Sequence, residues 1–343
     1  MISKGVAGRL ELPDSPIEDF SFFEKCASGT TSQADLSPNL VIGTRPFYNG
    51  VAADGLVSYD NDSGRRFLIW ALCIGATNPD KCVEVEFYGQ KILATFEADC
   101  SDLVFKGLCR VVIDVDDGYT LLGVTFKSET GIEAFSNDAQ TLLDQPLVDY
   151  GGYGKVMKDS LTAFGRLWDA GLGSFLEQLW SNYCDLYISH SGYSLGGCLS
   201  QMAAVRFQKE QWWPADQMFY YGFGVPRCGN EDFAFYMDES VADAYRINWI
   251  QDNVPSFPTT SCLSGSSAQL GSCTTSYFHC CKTVHYSVYT SSLVNSFQQC
   301  DIPEDTVCQA LTPTASDHSK YFQTTPADVD SLTCTDTKTF PDA

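Results

Sequence analysis

The chain has 343 residues, 44% of them apolar, enough for one large domain or two small ones with a real core, so disorder is not the default. Its 21 basic and 43 acidic residues leave a formal charge of −22, which repels nucleic acid and anionic membrane surfaces and favours neutral or zwitterionic partners. Fifteen cysteines without paired C-x-x-C spacing read as disulfides of an oxidising compartment rather than as zinc sites.

Residues 1–55 are rich in Ser, Pro, Gly and Asp with scattered aromatics, and read as an irregular extension packed on the main domain. The first ten residues lack the apolar stretch of a signal peptide, so a signal is expected to have been removed or to be missing, and the protein is expected outside the cell. The sequon Asn61-Asp62-Ser63 agrees with secretion. The longest apolar run, from Phe67 to Ala76, has half the length of a membrane span and reads as a core helix, so no transmembrane segment is expected.

From about Leu56 onward strand-like and helix-like segments alternate, predicting an α/β fold with a mostly parallel central sheet flanked by helices. Residues 121–126 predict a buried strand. Between Lys155 and Trp180, apolar residues from Val156 to Leu179 recur every three or four positions and predict one long amphipathic helix. Residues 186–188 predict a short strand, Leu199 to Phe207 a helix, and residues 218–223 and 245–250 two further strands. No repeat or linker divides the chain; the expected organisation is an extension to residue 55, a domain over 56–299 and a disulfide-bearing tail over 300–343.

Gly192-Tyr193-Ser194-Leu195-Gly196 fits the nucleophile elbow, in which glycines flank a serine held in a strained turn between strand and helix. A strand precedes it, and Gly196, Gly197 and Cys198 are small enough for the next helix to pack closely. Cys198 is expected to be a buried free thiol. An elbow serine needs a base held by a carboxylate, in the chain order Ser, Asp or Glu, His. Of the four histidines, His190 precedes the serine and reads as structural, whereas His279, His285 and His318 all follow it and sequence mechanics does not choose among them.

These motifs resemble those of the class 3 (fungal-type) triacylglycerol lipases, especially their cysteine-rich secreted branch in nematodes, over most of residues 57–323. The resemblance is carried by Gly154-Lys155-Val156, Ala163-Phe164, Tyr193-Ser194-Leu195-Gly196-Gly197 and Gly224-Val225-Pro226-Arg227. It continues in Asp252-Asn253-Val254-Pro255-Ser256-Phe257-Pro258, which is similar to the family segment whose Asp orients the catalytic histidine, and so implies Asp252. Tyr277-Phe278-His279 resembles the family's Tyr-Tyr-His block and implies His279 as the base. Cys300, Cys308, Asp317-His318 and Tyr321-Phe322 resemble the branch's C-terminal signature. The resemblance implies a short loop closed by Cys300 and Cys308, and a structural hydrogen bond for His318.

The resemblance implies a secreted lipase or carboxylic ester hydrolase acting on lipid acyl esters through Ser194, His279 and Asp252. No metal or organic cofactor is implied; the partners are an acyl-ester substrate and, transiently, a lipid interface. Backbone amides of Leu195 and Glu129 would form the oxyanion hole. Here the chain departs from the family, reading Phe126-Lys127-Ser128-Glu129 where Phe-Arg-Gly-Thr is usual. A carboxylate beside a developing oxyanion opposes it, which makes a weakened or inactive lipid-binding protein the alternative reading. Residues 131–142, with Ile132, Phe135 and Leu142, occupy the family's lid position.

Overall fold

A computed structural model describes residues 59–74, 90–115, 121–128, 145–182, 186–258, 277–287, 297–308, 317–318 and 321–322. The extension over 1–55, Glu129 and the lid segment over 131–142 lie outside the described residues.

Helix α1 (Asn61–Cys73) opens on Asp60, whose carboxylate accepts from the Ser63 amide and so satisfies one of the helix's free N–H groups. Strands β1 (Lys91–Asp99), β2 (Leu108–Val115) and β3 (Leu121–Ser128) follow, then the short β4 (Leu147–Asp149) and β5 (Lys155–Met157). Next come α2 (Lys158–Leu167), α3 (Gly173–Asn182), β6 (Tyr187–Tyr193), α4 (Leu195–Lys209) and β7 (Met218–Phe223). After them stand β8 (Gly229–Asn230), α5 (Glu231–Ser240), β9 (Asp243–Trp249), β10 (Tyr277–Phe278), β11 (Lys282–Tyr286) and β12 (Gln298–Cys300).

The main sheet has eight strands in the order β1-β2-β3-β6-β7-β9-β11-β12. Its centre, β3 through β11, is parallel; the pairs at its edges, β1 with β2, β2 with β3 and β11 with β12, are antiparallel. Every residue of β7 and β9 is buried, the signature of parallel strands covered on both faces. Alternation divides the side chains between two cores. Met218 and Tyr220 face the core under α2 to α5, whereas Phe219, Tyr221, Phe223, Tyr245, Ile247 and Trp249 meet Leu68 and Leu72 of α1. This is the α/β architecture expected. Strands β4, β5, β8 and β10 form a second, small sheet that the sequence did not announce, being two or three residues each.

Two expectations are corrected. The helix predicted from Lys155 to Trp180 is β5 followed by two helices, because Gly171 at φ 119° breaks the run within a π-helical turn over Trp168–Leu172. Cys198 is not a free thiol but is bonded to Cys228, 30 positions away. The turn after β7 lays Cys228 over the first turn of α4, a proximity with no trace in local sequence. Cys300, where the tail was expected to begin, is the last residue of β12. Cys300 and Cys308 are paired, as are Cys100 with Cys109 and Cys280 with Cys281.

Candidate active site

Strands β6, β7 and β9 are parallel neighbours, so their C-terminal ends lie at one edge of the sheet, where the loops that follow converge. Ser194 stands in the turn between β6 and α4 at φ 56° and ψ −130°, a conformation that costs a non-glycine residue about 1–3 kcal/mol. Packing sustains it. A Cβ on Gly192 would lie 2.5 Å from the Gly196 carbonyl oxygen, and one on Gly196 would lie 2.4 Å from that of Phe126. Only glycine lets strand and helix approach this closely, and the turn is held as the Ser194 amide donates to the Phe223 carbonyl at 2.8 Å. Leu195 is the first residue of α4, so its N–H belongs to the end of the helix that has no acceptor within it and carries positive potential.

Asp252 lies three residues beyond β9. Its amide donates to the Trp249 carbonyl and its Oδ1 accepts from the Val254 amide at 2.9 Å, which fixes the carboxylate. The following segment is clamped by Arg227, which donates from Nη1 to the Ser256 and Pro258 carbonyls and pairs through its other nitrogens with Glu304. The imidazole facing Ser194 and Asp252 comes from far along the chain. His318 Nδ1 is 2.9 Å from Asp252 Oδ2, and His318 Nε2 is 3.0 Å from Ser194 Oγ. With the neutral ring donating from Nδ1 to the carboxylate, Nε2 is left to accept from the serine hydroxyl. Tyr321, three residues on, donates its hydroxyl to the same Oδ2. Ser194, Asp252 and His318 are 5%, 3% and 1% exposed, so their charges and dipoles act with little screening from water.

His279, which the family resemblance favoured as the base, is not brought to Ser194. Its Nε2 donates to the Pro255 carbonyl at 2.7 Å and its amide donates to Glu304. Burial, then repulsion from Arg246 and Arg227, holds its pKa well below the ordinary histidine value, so it is poorly suited to taking up a proton. His285 is likewise engaged, Nε2 with the Ile250 carbonyl at 2.9 Å. His190, wholly buried beside the Phe207 ring, has its pKa pushed down to about 3 by burial and stays neutral. A sequence signal for His318 did exist, in the acidic residue before it and the tyrosine three positions after it. Tyr321 reaches the same carboxylate as His318.

Three metal-type side chains lie together among the described residues, Asp238, Cys280 and Cys281. The two sulfurs are bonded to each other, so they offer no thiolate.

Residues 124–262 match the family model described as Lipase (class 3). Lipase ZK262.3 of Caenorhabditis elegans is 28% identical over 203 residues, covering 58% of this chain and 56% of that protein; the chain thus spans little more than half the length of this curated relative. Among solved structures, the triacylglyceride lipase of Rhizomucor miehei superposes with a TM-score of 0.61 at 17% identity, over 79% of this chain and 98% of the other. A lipase from Rhizopus microsporus var. chinensis gives 0.58 at 18%, over 89% and 100%. At these identities the likeness is one of fold.

Proposed function

We propose, from the premise that the chain belongs through residues 124–262 to the class 3 lipase family, that it is a secreted carboxylic ester hydrolase acting on lipid acyl esters. In this reading Ser194 is the nucleophile, His318 the general base and Asp252 the carboxylate that orients it. The observation that carries it is the placement of one imidazole within hydrogen-bond reach of both Ser194 Oγ and Asp252 Oδ2. The paired cysteines support an extracellular setting. Among the described residues no helix is long and apolar enough to cross a membrane.

Ser194 Oγ attacks the ester carbonyl carbon as His318 Nε2 takes its proton, forming a tetrahedral intermediate. The imidazolium is stabilised at Nδ1 by Asp252, and the negative oxygen by the N–H of Leu195 together with the amide assigned to Glu129. Collapse breaks the ester bond, and His318 returns the proton to the leaving alcohol. The acyl group remains on Ser194. Water, deprotonated by the same imidazole, then releases the acid and restores the serine.

Labelling by a fluorophosphonate tests this directly, since only a serine with a working base is modified. Wild type is expected to be labelled and to hydrolyse a short-chain chromogenic ester, whereas Ser194→Ala and His318→Ala each lose more than about ten-thousandfold in kcat. His279→Gln, which keeps a donor for the Pro255 carbonyl, is expected to stay within tenfold of wild type, a margin on the order of 1.4 kcal/mol. A His279→Gln enzyme as dead as Ser194→Ala, beside an active His318→Ala, would refute the assignment. A folded wild-type protein that takes no label would instead promote the lipid-binding reading.

A further inference from the structure

The residue before the nucleophile is more than the end of β6. The ring of Tyr193 stacks on the imidazole of His318, with centroids 5.0 Å apart and an interplanar angle of 27°. It meets the Tyr321 ring edge-on at 5.6 Å and 89°. The Tyr193 hydroxyl is buried and has no hydrogen-bond partner among the described residues. A buried hydroxyl without a partner is a cost rather than a gain, so whatever Tyr193 contributes resides in its ring.

The face of an aromatic ring is electron-rich and attracts a cation within about 6 Å of its centroid. In the hydrolysis described above, His318 is neutral at rest and an imidazolium in the transition state. The contact therefore strengthens as the reaction proceeds, and only such differential contacts accelerate the chemical step. Stacking also restricts rotation of the ring about its own axis, a freedom that a hydrogen bond at each nitrogen leaves partly open. Burial and then the charge of Asp252 raise the pKa of the Tyr193 phenol well above its ordinary value, so the ring stays uncharged.

We propose that Tyr193 is a positioning residue for the ester hydrolysis, its ring holding the imidazole of His318 in line between Asp252 and Ser194 and stabilising the protonated form. This rests on the assignment of Ser194, His318 and Asp252 as the reacting group. Among the described residues, Ser194 and Tyr193 from the elbow, Asp252 from the loop after β9, and Tyr321 all face His318. Arg246, His279 and His285 line one small cavity together with Asp252, while Asp317 accepts from the Gln251 amide. Of the two aromatic neighbours, Tyr193 is thus the one that can be changed without removing a hydrogen bond from Asp252 or His318.

The test is the pH profile of kcat/KM for a short-chain chromogenic ester, whose acid limb reports the base in the free enzyme. Tyr193→Leu removes the stabilisation of the imidazolium, so the pKa falls and the acid limb moves to lower pH, by about half to one and a half pH units. Tyr193→Phe keeps the ring and should leave the limb where it is. Pentafluorophenylalanine at position 193 keeps the shape but reverses the potential of the ring face, and should move the limb in the same direction as leucine. If Tyr193→Leu does not fold, the fluorinated protein decides alone. A limb unmoved by ring removal and by fluorination overturns the proposal. A wrong triad is read separately, because Ser194→Ala or His318→Ala would then hydrolyse the ester as fast as wild type whatever stands at position 193.

Discussion

Asn61 illustrates how one side chain acquires a different meaning once it is placed. In sequence it heads the sequon Asn61-Asp62-Ser63; in the fold it is 9% exposed at the start of α1, and its Oδ1 accepts from the Tyr286 hydroxyl. An oligosaccharide on Asn61 Nδ2 has no room while the side chain stays in that buried place. Protein made through a secretory pathway is expected to carry no glycan at Asn61, which peptide mass spectrometry before and after glycosidase treatment would check. Asn61→Ala should lower stability by about 1–3 kcal/mol in urea unfolding, because the Tyr286 hydroxyl then loses a partner in the interior. The same contrast separates the residues of the site. Ser194 and Asp252 were legible because each sits in a short motif whose glycines and prolines shape its own turn. The proposed base was not, because His279 and His318 both follow Asp252 and their difference lies in which loop returns to the edge of the sheet.

Among the elements, α4 was readable from Leu199 onward through its apolar spacing, but its first turn is governed by partners distant in sequence. One of these is the bond from Cys198 to Cys228, which closes a loop of 30 residues across the elbow. By closed-loop entropy such a bond stabilises the fold by about 3–4 kcal/mol. The double variant Cys198→Ala, Cys228→Ala is therefore expected to unfold at lower urea with a similar m-value. An unchanged midpoint would mean that the packing around Gly197 and Val225 suffices. Strand β7 was visible as an unbroken apolar run, whereas β9 was visible through Tyr245, Ile247 and Trp249 alternating with Arg246 and Asn248. By contrast β8 and β10 have two residues each and carry no periodicity to read.

For the whole molecule the formal charge of −22 outweighs any single contact in deciding which surfaces can be approached. Association with phosphatidylcholine vesicles should exceed that with phosphatidylserine vesicles at about 10 mM salt, where the Debye length is about 30 Å, and the difference should shrink at 1 M salt, where it is about 3 Å. Co-sedimentation at the two salt concentrations would measure it; a preference for anionic vesicles would point to a local basic patch that the total conceals.

The distance along the chain from Ser194 to His318 also gives the protein a timetable. A ribosome makes the elbow first, Asp252 next and the proposed base 124 residues after the nucleophile. Until then, on the proposed assignment, Ser194 is an ordinary alcohol with no base beside it. The segment bearing His318 must also find the edge of a sheet already assembled by earlier strands. If the proposed assignment holds, reactivity begins only once His318 has been made and placed, and a nascent chain ending between these residues would carry Ser194 without its base.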